Sequence, residues 1–74
     1  MPCINADGTL TESAVALLEF LDHVRTPEEV SAAMGRPLYW ARMSLREMVG
    51  ADLVVADAGG YRATEKGRAR LRAA

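Results

Sequence analysis

The sequence predicts one mainly α-helical domain with a small β-hairpin, and three observations carry that prediction. Ala14, Leu17, Leu18, Leu21 and Val24 recur with helical spacing. Thr26-Pro27-Glu28-Glu29 is a complete helix-start signal. Two short β-prone runs, Leu53-Val54-Val55-Ala56 and Tyr61-Arg62-Ala63, flank the turn-forming Asp57-Ala58-Gly59-Gly60.

The elements follow in chain order. Residues 1–9 form an N-terminal arm closed by the Asp7-Gly8 turn signal, with Thr9 and Thr11 as N-cap candidates. The first helix is expected over 11–24. Its apolar stripe is widened by Phe20, while Glu12, Glu19, Asp22 and His23 fall on the other side. His23 is placed in the last turn, exposed, where an imidazolium suits the helix dipole. Thr26 caps a second helix over 27–34: Pro27 fits the first helical position and Glu29 closes a capping box. That helix is expected to bury Val30, Ala33 and Met34 and to end at a left-handed Gly35.

A third helix follows over 37–49, opened by Pro37. Ala41, Leu45 and Met48 share one face, with Leu38 beside them. Tyr39, Met43 and Arg46 lie opposite, Arg42 at their edge, and Trp40 on the flank, where its ring either fills the gap between this helix and the hairpin or the first helix or joins an exposed patch. The hairpin spans 53–63. Thr64 then caps a last helix, within 64–73, anchored by Leu71. Gly67 inside it costs about 1 kcal/mol relative to Ala, so this helix needs tertiary support.

Composition narrows the function. With 74 residues the chain is a single domain, 1–74, and a domain this small buries only about 60% of its unfolded surface, which leaves no room for a deep cleft between lobes. One cysteine, Cys3, excludes an internal disulfide, and Cys3 with His23 is far short of a structural zinc set. No metal site or cofactor is expected. One histidine and one cysteine assemble no catalytic set, and no glycine loop is shaped for phosphate, so the chain is expected not to be an enzyme. No stretch approaches the ~20 apolar residues of a membrane span, and no basic-then-apolar leader is visible, so a cytoplasmic location is expected.

The formal net charge of −1 conceals a division. Residues 1–35 hold six acids and one base, net −5, and residues 36–74 hold four acids and eight bases, net +4. Two oppositely charged halves attracting each other explain this as well as a two-faced surface does.

The order helix, short helix, tight turn, helix, hairpin, helix carries a resemblance. Pro27 to Gly35 is similar to the first motif helix of the winged helix-turn-helix transcriptional regulators of bacteria and archaea. Ala41, Leu45, Met48 and Leu53-Val54 are similar to that family's core signature. Tyr61-Arg62-Ala63-Thr64-Glu65-Lys66-Gly67-Arg68 resembles its return from the wing into the last helix. Four positions depart from the pattern. Ser31 replaces a small Ala, Asp52 stands where Gly is usual, Ala63 replaces Leu, and Leu38-Tyr39-Trp40 replaces small polar residues.

The resemblance implies a DNA-binding transcriptional regulator, acting as a dimer on double-stranded DNA, with the helix 37–49 in the major groove and the hairpin as wing. In that reading Tyr39, Arg42, Met43 and Arg46 face the groove, Arg36 holds phosphate, and Arg62 reaches backbone or minor groove. The bland alternative pairs Arg42 and Arg46 with Glu47 or Asp52. A different function class keeps the fold and uses Tyr39, Trp40 and Met43 as an apolar patch against a protein partner or a second copy.

Overall fold

A computed structural model of the chain describes residues 3–73. It contains α1 (Glu12–Phe20), α2 (Pro27–Met34), α3 (Leu38–Gly50), β1 (Val54–Asp57), β2 (Gly60–Ala63) and α4 (Glu65–Ala73), the element order of a winged helix-turn-helix. Met1, Pro2 and Ala74, at the ends of the expected 1–74 domain, lie outside the described residues.

Local chemistry sets most boundaries. The Thr11 side chain accepts from the Ala14 N–H and starts α1. Thr26 accepts from the Glu29 N–H while Glu29 accepts from the Thr26 N–H, the reciprocal pair expected of a capping box. Gly35 ends α2 at φ 63°, and the Ser31 hydroxyl donates to the Arg36 carbonyl across the same turn. Ser31 is therefore a turn-closing residue as well as a small one. Asp52 adopts φ 63°, which Asp tolerates better than most residues.

The first helix is shorter than its periodicity suggests. It stops at Phe20 with Leu21 as C-cap, not at residue 24. The cause is a contact distant in sequence. Arg25 is extended and pairs with Tyr61, each N–H donating to the other's carbonyl at 2.9 and 2.8 Å, and the Ala63 N–H donates to the Leu21 carbonyl. The chain has to leave the helix to reach the outer edge of β2. Val24 consequently sits at the surface instead of completing the buried stripe, and His23 lies in the connecting turn, exposed, instead of in a last helical turn.

β1 and β2 pair antiparallel, Val54 opposite Ala63 and Asp57 opposite Gly60, around a two-residue turn. Ala58 and Gly59 both have positive φ, the geometry whose twist suits a tight hairpin. Gly60 is required by a close approach: a Cβ there would lie 2.7 Å from the Arg25 carbonyl oxygen.

The core gathers Ala14, Leu17, Leu18 and Leu21 with Val30, Ala41, Leu45, Met48, Leu53, Val54 and Ala63. α2 packs on α3 and α4 on α1. Ala33, expected inside, is exposed, and Met34 and Leu38 are half-buried. Pro37 caps α3 from outside its first turn, and Leu71 packs half-buried against the core. Gly67 carries the closest packing of α4, since a Cβ there would collide with the Leu53 carbonyl.

Candidate interaction surface

The surface of interest is the outer face of α3 together with the hairpin beside it. α3 is held from within by Ala41, Leu45 and Met48, all at most 1% exposed, and by buried Ser44 and Trp40. Burying that face turns Tyr39, Arg42, Met43, Arg46 and Val49 outward. Tyr39 is 68% exposed, Met43 62% and Val49 40%. Tyr39 and Met43 are neighbours one turn apart, whereas Val49 lies one turn beyond Arg46, on the side of the helix that Arg42 and Arg46 share.

The arginines differ in their partners. Arg42 lies 3.9 Å from the Glu28 carboxylate on α2, with both side chains more than 60% exposed, so the pair contributes little and exchanges readily. Glu28 thereby brings a negative charge to this side of the molecule, whereas charge segregation would keep the acids of the first two helices elsewhere. Arg46 has no carboxylate within 4.0 Å among the described residues. Arg62 is engaged by Asp57 at 2.9 Å across the hairpin. Arg36 stacks its guanidinium over the Trp40 ring, 4.8 Å from the centroid.

Trp40 does not belong to this surface. At 8% exposure it is part of the core, covered by Arg36, so the expected patch of Tyr39, Trp40 and Met43 loses its central member. Two adjacent helical aromatics point about 100° apart, and here the larger one turns inward.

Neither expected alternative partner of the arginines is used. Glu47, the one acid of α3, accepts from the Cys3 N–H at 3.0 and 3.2 Å and from the Ile4 N–H at 3.3 Å. It fastens the N-terminal arm to α3. The arm is further held by an Ile4–Leu10 bridge, and Cys3 is buried beneath it. Burial pushes the Cys3 thiol above its ordinary pKa, against an opposing hydrogen bond with Ser44.

Between α3 and the hairpin runs a groove of about 340 Å³, lined by Pro27, Arg42, Arg46, Val49, Ala56 and Tyr61. Val49, Ala56, Pro27 and Tyr61 were not legible as site residues. The only local signal was Val49, an apolar residue one turn beyond Arg46 and beside the exposed arginines of α3. The other three depend on where the hairpin folds back. Among the described residues no group of acids, cysteines and histidines is placed to hold a metal, and no helix is long and apolar enough to cross a membrane.

No family model matches the chain. No curated protein matches it. Among solved structures it is similar to CalO1, a methyltransferase in calicheamicin biosynthesis, in its SAH-bound form: 36% identity and a TM-score of 0.67 over 78% of this chain. The match spans only 18% of that methyltransferase.

Proposed function

We propose that this chain is a winged-helix protein–protein interaction module that docks through the outer face of α3 and does no chemistry of its own. One observation carries the reading. The helix face that a DNA reader would present to base edges exposes three large apolar side chains, Tyr39 and Met43 one turn apart and Val49 one turn beyond Arg46. The flanking cations add support, because Arg62 is held by Asp57 and Arg36 by Trp40. Likeness to part of a methyltransferase fits a unit that serves inside or alongside a larger protein.

A second reading is favoured by Arg46, whose guanidinium is uncommitted among the described residues. In that reading the chain is a small DNA-binding transcriptional regulator. It places α3 in the major groove, uses the hairpin as wing, and contacts DNA through Arg36, Tyr39, Arg42, Met43, Arg46 and Arg62 as a dimer. Titrating the ¹⁵N-labelled chain with a random duplex of roughly 20 base pairs at about 50 mM salt separates the two. We expect no saturable shifts along α3 and the hairpin. Saturable, salt-sensitive shifts there would establish the DNA reading and end the interaction one.

A further inference from the structure

The groove between α3 and the hairpin has two chemistries arranged in a set order. Its walls are apolar: Val49 from α3, Ala56 from β1, Tyr61 from β2 and Pro27 from the start of α2. Its rim is cationic, formed by Arg42 and Arg46 one helical turn apart. No acid on α3 neutralises that rim, because Glu47 is committed to the backbone of the N-terminal arm. Glu28 reaches only Arg42, at the outer limit of an ion pair and in full contact with water.

Resting on the interaction reading above, we infer that this groove takes an acidic, amphipathic peptide segment of a partner protein. An apolar side chain sits between Val49, Ala56 and Tyr61, and the flanking carboxylates pair with Arg42 and Arg46. Charge complementarity selects this occupant over a second copy. A two-fold contact through the groove would face Arg42 and Arg46 with their own images, four guanidinium groups at one seam. The apolar walls favour a peptide over a duplex, because a phosphate backbone would satisfy the two arginines but leave those walls unfilled. Arginine suits the role because its planar fork takes a carboxylate with two parallel hydrogen bonds.

The test uses four probes against the full chain: a capped, fluorescein-labelled helical peptide with Leu at one face and Glu beside it, the same peptide with every Glu replaced by Gln, the same peptide with every Glu replaced by Lys, and a random duplex. Anisotropy gives affinity, and amide shifts give location. The acidic peptide is expected to perturb Val49, Ala56 and Tyr61 and to bind at least about tenfold more tightly than the Gln form. Arg46→Ala should weaken it about fivefold. Arg46→Glu should reverse the preference toward a Lys-for-Glu version of the peptide, which loss of fold alone does not produce. Equal binding of the Gln form in the same groove overturns the acidic partner while leaving the interaction reading intact. Binding of the duplex there, with the peptides silent, overturns both. Failure of the acidic peptide to bind, or its binding elsewhere, overturns the inference.

Discussion

The two faces of α3 are built from similar residue types and have opposite roles. Inward, Ala41, Leu45 and Met48 are sealed in the core, with α3 packed on α2 and β1, and their apolar character is explained entirely by that core. Outward, Tyr39, Met43 and Val49 are as apolar and remain in water. An inward methionine requires no explanation beyond packing. An outward one on a small domain, with an exposed Tyr39 one turn away, points to something that covers it. The difference teaches that helical periodicity alone locates a buried face but does not say what the other face is for. That depends on which charges around it are already paired.

The comparison breaks most severely from the inside. Leu45→Ala removes a side chain that is 1% exposed and leaves a cavity in the core. We expect a loss of about 2–5 kcal/mol in urea or thermal unfolding, much of the stability of so small a domain. Gly67→Ala should come next. An added Cβ improves helix propensity by about 1 kcal/mol but collides with the Leu53 carbonyl, so α4 must shift. A net loss of about 1–3 kcal/mol is expected, where propensity alone would forecast a gain. A net gain would show that α4 is not held by that contact.

Cys3 sharpens the inner side further. Its thiol should react with a disulfide reagent much more slowly in the folded chain than in urea. Because burial raises its pKa, its contribution to stability is complete below the ordinary thiol range. That contribution is lost as pH rises through the raised value, when the buried group has to ionise. Unfolding midpoints followed from neutral to alkaline pH, wild type against Cys3→Ala, check this sign. The smallest effect belongs outside. Tyr39→Ser with Met43→Ser should leave stability within about 0.5 kcal/mol of wild type.

What was legible in the sequence is what short-range chemistry decides. The Thr26 capping box, the left-handed Gly35, the hairpin turn and the Ala41–Leu45–Met48 face all follow from residues within a few positions of one another. What was not legible depends on distant chain. The periodic stripe runs through Leu21 to Val24, yet α1 ends early because Arg25 has to pair with Tyr61. Gly67 reads as a helix defect until the Leu53 carbonyl is placed against it. Trp40 reads equally well as core or patch until Arg36 closes over its ring. Glu47 looks like a salt-bridge partner for the arginines of its own helix, but the N-terminal arm takes it. The candidate groove belongs to this second class, since three of its six lining residues come from elements that meet α3 only in the fold.

If the outer face of α3 serves a partner and not the fold, removing its groove-lining side chains weakens binding and spares stability. The direct measurement titrates the acidic peptide into the variant carrying Arg42→Ala, Arg46→Ala and Val49→Ser, after its unfolding midpoint has been measured. We expect a midpoint close to wild type and binding weakened at least about tenfold. Undiminished binding, or a variant that loses its fold, would contradict the claim.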